Sequence, residues 1–570
     1  MSLSSTNRSV QLLMRFSDGK TATEPLIEYN AQKPCAPYGA SSQPLPRCTP
    51  ERQGIASSHI AAFLHALQND PTLRMHSIMI VRNGHVLCEA AFGAQELDLP
   101  RMTFSACKSI TSLAVGILMD DGLLHPDDRL IDHFPQEGNL VSRRLMKDIS
   151  IADVLSMRTG NQFNELSCMT QDDWVQGFFA SPGLGGEKFQ YNSLNTYILA
   201  ALVRRLSGES LSSFLSKRLF SPMGIENFHW ELCPSGTEKG GWGLYMRPED
   251  LAKLGQLVAD GGVWKGRQLI SRQYLEQATT AHAQVPESYG DYNYGWQFWV
   301  GRNERTVLFN GMLGQNVLCF LDNGITVVSH AGNDETFQQS NYFKLVSRFF
   351  GGSFSARLPA DLAEARQLKR LIRQLGSCRE KLPDKTLFSC FAGKRFVTAS
   401  PRAASTGLLP LTLQAVQNCY TKGVCAIAVG GDRDLAEIFY EERGCLYQIH
   451  AGTKEPCVQT LQFGQSAFRV AAQARFTTDE DDRPVLRLQL DFLETPCQRV
   501  LKLILTPNGA ILKQTETPCM DDVLTTLLTT VYPTANTLLK TVLGGGEDDD
   551  YLQWKMSLLF APTLRFTEEE

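Results

Sequence analysis

No stretch of this 570-residue chain approaches the roughly 18 consecutive apolar residues that a membrane-spanning helix requires. A transmembrane anchor is therefore not expected. The first thirty residues also lack an uninterrupted apolar run ending in small residues, so a secretory signal is not expected and a cytoplasmic setting is. Basic excess is missing too: the formal net charge is −5, which gives nucleic acid no electrostatic footprint to bind. Nucleic acid and membrane are thus not expected partners. The fifteen cysteines contain no C-x-x-C pair and form no regular framework, which argues against zinc fingers and disulfide scaffolds. They read as small buried hydrophobes. The ten histidines show no metal-ligand spacing. Neither G-x-S-x-G, nor H-E-x-x-H, nor a P-loop occurs. Much hydrolytic and nucleotide chemistry is removed by these absences, and no metal or organic cofactor is implied.

What is present is an ordinary globular composition, 43% hydrophobic and 20% charged, long enough for two or three cores. Residues 1–55 are rich in Pro, Ser and Gln and read as an irregular leader that orders only by docking. Residues 56–355 mix helices with antiparallel strands. A hairpin is predicted at Asn83-Gly84, helices over 105–120, 151–156 and 194–206, and strands over 293–300, 304–309, 315–321 and 325–330, the last two joined at Asn323-Gly324. A helical connector is expected at 356–380, with an amphipathic helix over 360–375. Residues 381–570 then read as a β-rich domain, a sheet or barrel with a helix near 521–531, its acidic loops being solvated turns. The fold class is α+β, an antiparallel sheet flanked by helices plus an all-helical subdomain, followed by that β-rich domain.

The segment FSACKSITSLAVGILMDDGLL puts Ser105 at the start of an apolar-periodic helix and Lys108 one turn on. A serine hydroxyl attacks only when a neighbour takes its proton, and a lysine can do so if burial lowers its pKa. The helix start also offers free N–H groups for an oxyanion. The S-x-x-K spacing alone is weak, since about two matches are expected by chance in such a chain. Ser17 and Lys20 match as well, but they straddle the turn dipeptide Asp18-Gly19 and have no helix behind them. The bland alternative for Ser105 and Lys108 is a capping serine with a surface lysine.

Several blocks in order, FSACKSITSLAVGILMDDGLL, SIADVLSMRTG, GEKFQYNSLNTYILAALVRRLSG, PMGIENFHWEL and GGWGLYMRPEDLAKLGQLVADGGVWKGRQLIS, resemble the β-lactamase and penicillin-binding superfamily. The resemblance is to its class C-like branch, which includes esterases and 6-aminohexanoate-dimer hydrolases, and covers about half the chain. It implies Ser105 as acylated nucleophile, Lys108 as its proton partner, and Tyr191 and Ser193 as the second motif, Y-N-S. A phenol near a lysine ammonium can be held partly deprotonated and so relay a proton between nucleophile and leaving group. The simpler readings are a core aromatic for Tyr191 and a helix N-cap for Ser193. The third motif, usually K-T-G, reads here as Met312-Leu313-Gly314. Methionine cannot make the charge-assisted bond that lysine makes to a carboxylate. Gly314 would admit substrate to the strand, and the Gln315 N–H would join that of Ser105 in the oxyanion hole. His330-Ala331-Gly332 is a rival for the motif, one strand too late.

The resemblance implies a serine hydrolase that forms an acyl-enzyme on Ser105 and takes a small-molecule ester or amide as its partner. Acyl transfer uses the same residues. A β-lactamase or D-alanyl peptidase role fits less well without the lysine, and a silent binding or assembly module is the contrasting class. Oligomeric state stays open.

Overall fold

The computed structural model describes residues 26–33, 39–183, 188–377, 385–398, 406–518 and 563–569. It divides into two compact units: the described residues of 39–376 form the first, and the described residues of 26–33 and 377–569 belong to the second.

The first unit is built on a seven-stranded antiparallel sheet. Its strands are β1 (Met75–Arg82), β2 (His85–Ala91), β3 (Tyr292–Tyr294), β4 (Trp299–Gly301), β5 (Thr306–Gly311), β6 (Gln315–Phe320) and β7 (Ile325–Ala331), in spatial order β2-β1-β7-β6-β5-β4-β3. The β1–β2 turn is the Asn83-Gly84 dipeptide, both residues at positive φ (48° and 74°), as a two-residue hairpin demands. The expected strand over 293–300 is instead two antiparallel strands. They are separated at Gly295, whose N–H donates to the Phe298 carbonyl and whose position leaves no room for a Cβ against the Ala278 carbonyl. A continuous apolar run does not reveal such a fold-back.

Helices cover the sheet: α1 (Ser57–Asn69), α2 (Cys107–Asp120), α3 (Ser193–Ser207), α4 (Pro248–Ala259), α5 (Asn341–Phe350) and α6 (Leu362–Leu375). α2 and α3 pack on each other and share a core with α4 and the sheet, in which Ile110, Leu113, Ile198, Leu199, Val317 and Val328 are buried. α3 stops at Gly208 in the left-handed conformation. α6 is not a free connector. Leu368, Leu371 and Leu375 form its buried stripe, and it lies against α1 and β2 inside the first unit.

In the second unit ten strands form a barrel: β8 (Arg395–Val397), β9 (Val424–Gly431), β10 (Leu435–Glu442), β11 (Cys445–Gly452), β12 (Cys457–Phe463), β13 (Ser466–Thr478), β14 (Pro484–Phe492), β15 (Gln498–Thr506), β16 (Gly509–Thr517) and β17 (Thr563–Glu569). Their order is β11-β10-β9-β8-β17-β16-β15-β14-β13-β12, with β11 also meeting β13. β10 alternates buried and less buried positions, putting Ile438 and Tyr440 inside. The expected leader is not one piece. Residues 26–33 belong to this unit, where the Lys33 ammonium is buried against the Glu494 carboxylate at 2.8 Å. The helix expected near 521–531, the acidic stretch at 544–550 and the Ser17–Lys20 match lie outside the described residues.

Candidate active site

Ser105 lies in a short turn, Phe104–Ala106, that leads directly into α2. Phe104 is buried and has φ of +47°, a conformation that costs a bulky L-residue energy and persists only where its surroundings enforce it. The enforcement comes from Thr103, whose N–H and hydroxyl both donate to the Leu244 carbonyl, at 2.8 and 2.9 Å. From the sheet side, Gly311 at the end of β5 comes so close that a Cβ there would stand 2.2 Å from the Thr103 carbonyl oxygen.

One turn along α2, the Lys108 ammonium donates to three acceptors: Ser105 Oγ at 2.9 Å, Ser193 Oγ at 2.8 Å and the Gly241 carbonyl at 2.6 Å. Three donors meet three acceptors, so the charged form is fully hydrogen-bonded. Burial nevertheless dominates, lowering the Lys108 pKa to about 8, while the Cys107 thiol and the Glu165 carboxylate hold it up. This is not the surface lysine of the bland reading.

Tyr191 completes the group. Its side chain interacts with Ser105, which works to lower its pKa, and Lys108 Nζ sits 5.1 Å from the centre of its ring. Trp299 stacks on that ring at 6.0 Å and Phe337 meets it edge-on at 5.1 Å. The surroundings of Tyr191 work against a partly deprotonated phenol. Burial raises the Tyr191 pKa well above the ordinary phenol value, and the ammonium lies over the ring face. Tyr191 is a neutral phenol at neutral pH.

Ser193 is the first residue of α3, and the capping role falls to Asn192, whose side chain accepts from the Leu194 N–H. That leaves the Ser193 hydroxyl free to take the lysine. The Ser193 N–H donates to Glu165 Oε1 at 3.3 Å. Sequence reasoning missed Glu165; a lone acid 26 residues before Tyr191 carries no spacing signal.

The third-motif residues fall differently from expectation. Met312–Gly314 form the turn between β5 and β6, with Leu313 at φ +66° and Gly314 at φ +88°. A Cβ on Gly314 would meet Ala331 Cβ at 2.6 Å, so this glycine serves packing against β7, not substrate approach. Gln315 is buried and opposes Gly311 in the ladder, its side-chain amide donating to the Leu313 and Ala331 carbonyls. The glycine that meets the Ser105 turn is Gly311. His330, the rival, lies on β7, with β6 between it and β5, its ring beside the Ser77 hydroxyl at 3.2 Å.

The Met312–Gly314 turn is tied to the segment after β7 by the Leu313 N–H, which donates to the Glu335 carbonyl at 2.7 Å. The Glu335 carboxyl accepts from Asn333 and from the Ser340 N–H, but burial without a cation raises its pKa from 4.5 to about 7. The folded protein therefore binds a proton here that the unfolded chain releases above about 4.5, and the carboxylate's penalty grows as pH rises from there through 7. Glu335→Gln should stabilise the first unit by on the order of 1–3 kcal/mol above pH 7, with the gain vanishing near pH 4.5. Calorimetric melting at both pH values checks this.

Among the described residues no group of His, Cys, Asp and Glu could hold a metal ion, and no helix is long and apolar enough to cross a membrane.

The comparisons with known proteins support the serine β-lactamase/transpeptidase-like superfamily for this fold. Residues 64–338 match the family model described as Beta-lactamase, and this part of the chain is a member of that superfamily. Among curated relatives, 6-aminohexanoate-dimer hydrolase of Paenarthrobacter ureafaciens is 25% identical over 42% of this chain and 68% of its own length. Penicillin-binding protein 4* of Bacillus subtilis (strain 168) is 21% identical over 33% of this chain, and the match spans 47% of its length, about half. A solved structure of a 6-aminohexanoate-dimer hydrolase homologue from Bacillus anthracis has 16% identity and a TM-score of 0.44, covering 63% of this chain and 95% of its own.

Proposed function

We propose that the first unit is a serine hydrolase that forms an acyl-enzyme on Ser105 and releases it to water. The reading is carried by one observation: Lys108, buried with a pKa of about 8, stands 2.9 Å from the Ser105 hydroxyl. On losing its proton the amine keeps two donors for Ser193 and Gly241 and turns its lone pair toward Ser105. It then accepts the hydroxyl proton as Ser105 Oγ bonds to the acyl carbon and the carbonyl π pair moves onto oxygen. In this reading the oxyanion is met by the Ser105 N–H and, in place of Gln315, by the N–H of Met312, the residue after Gly311. The Tyr191 phenol protonates the departing alkoxide or amine as the C–O or C–N bond breaks, and Lys108 returns a proton to Tyr191. Water then repeats the attack with the roles reversed.

The substrate is an ester or amide that needs no carboxylate, because no lysine occupies the third motif. The name of the relative, 6-aminohexanoate-dimer hydrolase, adds linear amides to the classes to be tried. A cytoplasmic setting accords with the twelve described cysteines, all unpaired.

Because neutral Lys108 is the base, kcat/KM should rise with pH through about 8. The Glu165 charge holds that proton on, so Glu165→Gln should move the rising limb to lower pH; a limb that stays in place removes Glu165 from the electrostatics of the site.

The reading is tested by a panel of p-nitrophenyl esters and anilides of varied acyl length, run beside nitrocefin. Turnover of the esters is expected, with nitrocefin much slower. Inert esters and anilides with folded protein would overturn the hydrolase reading in favour of a binding module, and efficient nitrocefin hydrolysis would move it to a β-lactamase.

A further inference from the structure

Behind the Gly241 carbonyl lies a pair of buried charges that the proposed chemistry does not use. Lys239 and Glu231 are both at most 1% exposed in their side chains, 3.0 Å apart, and the Tyr245 hydroxyl donates to the other Glu231 oxygen at 2.9 Å. An ion pair taken out of water is seldom a net gain over apolar packing. Its place in the fold, rather than bulk stability, points to what it does.

The pair stands at the root of a hairpin. His229–Trp230 and Leu244–Met246 are its two strands, and Leu244–Met246 also pairs with Arg101–Met102, the strand that leads into the Ser105 turn. Between them, Lys239-Gly240-Gly241-Trp242-Gly243 folds back on itself: the Gly243 and Trp242 N–H groups both donate to the Lys239 carbonyl at 3.0 Å, and so does the Trp230 indole. The result aims two successive carbonyls at α2. Gly240 accepts from Cys107 Sγ and Thr111 Oγ1, and Gly241 accepts from Lys108. There is no room for side chains at the tip: a Cβ on Gly241 would stand 2.7 Å from the Ser193 carbonyl, and one on Gly240 would stand 2.7 Å from Ala200 Cβ. The backbone of Lys239 thus sets the tip, and its side chain is fixed by Glu231.

We infer that Glu231 and Lys239 are positioning residues, a buried ion pair that holds the Gly241 carbonyl on the Lys108 amine. The inference rests on the acyl-enzyme reading. The groups facing Lys108 include Ser105, Ser193, Tyr191, Cys107 and Glu165; those around the pair include Tyr245, which bonds Glu231, and Cys168, on which the charges of both Lys239 and Glu165 act. When the Gly241 carbonyl slips from the amine, Lys108 loses an acceptor of its charged form, and its proton comes off at lower pH.

The experiment compares Glu231→Gln with the unmutated full chain, measuring kcat, KM, the pH profile of kcat/KM on a p-nitrophenyl ester, and melting. Glu231→Gln should lower kcat roughly tenfold to a hundredfold with KM little changed. It should also shift the rising limb down by more than about half a pH unit. A role confined to stability would lower the melting temperature or the active fraction and leave the limb in place. Should Glu231→Gln not fold, Tyr245→Phe, which removes one hydrogen bond from the same carboxylate, decides by a smaller shift in the same direction. An unmoved limb with unchanged kcat, in whichever variant folds, overturns the inference while ester turnover by the unmutated chain keeps the hydrolase reading. No ester turnover by the unmutated chain removes both.

Discussion

Replacing Lys108 with Met should cut ester turnover by roughly a hundredfold or more and abolish the rise in rate through about pH 8. Methionine fills much of the lysine volume without a proton acceptor, so Ser105 keeps its proton, while Ser193 Oγ and the Gly241 carbonyl lose a donor. The melting temperature decides between loss of chemistry and loss of fold. Removing a buried charge that desolvation already disfavours should not unfold the unit, because the cost of burying the ammonium disappears with it. Tyr191→Phe separates the two proton transfers. It deletes the phenol but leaves the ring between Trp299 and Phe337. If Tyr191 protonates the leaving group, alkyl esters and anilides should lose roughly a hundredfold, whereas a p-nitrophenolate, which departs without a proton, should lose far less. Equal losses on both leaving groups would assign Tyr191 to the serine instead.

Gly311→Ala is the second large effect. The added methyl has nowhere to go: the atom it would meet at 2.2 Å is the Thr103 backbone carbonyl, and the Gln315 side chain and carbonyl lie at 3.0 Å. Backbone on either side is pinned, Thr103 by the Leu244 carbonyl and Gln315 by its amide bonds to Leu313 and Ala331. The strain must be relieved by moving β5 away from the Ser105 turn, which separates the proposed oxyanion donors, Ser105 N–H and Met312 N–H. Displacements near 1 Å in such a site cost about a hundredfold. We expect kcat/KM to fall by that order with the rising limb still near pH 8, since Lys108 keeps its surroundings. By contrast Gly314→Ala, whose Cβ would meet side chains of Ala331 and Asn333, should cost stability before it costs rate.

How much of this could be read from residue order follows from how local each feature is. The Asn83-Gly84 hairpin and the helix expected over 194–206, found over 193–207 with its Gly208 stop, are short-range patterns and stand close to where the patterns put them, while the helix expected from Ser105 begins at Cys107, with Ser105 and Lys108 still within hydrogen-bond reach. The simpler alternative for Ser193, a helix N-cap, misses by one residue because Asn192 and Ser193 both suit the position, and only the demand of Lys108 for an acceptor separates them. The reading of Gly314 as the glycine at the site did not consider Gly311, for a related reason. Two glycines three apart at a strand end look alike in sequence, yet one packs on β7 and the other on the Ser105 turn. Glu165, and the Glu231–Lys239 pair, work through contacts with residues far along the chain, which no local pattern encodes. The protonation of Tyr191 is a property of its burial among aromatic rings drawn from positions 299 and 337, so an argument from proximity to a lysine alone gave the wrong sign.

Incubating the full chain with a fluorophosphonate probe and reading intact and peptide masses puts the nucleophile itself on trial. A single adduct on the peptide containing Ser105, forming faster as pH rises through about 8 and missing from a Ser105→Ala variant that still folds, is the predicted result. Folded protein that takes no adduct across that pH range, or takes it on another serine, contradicts the account.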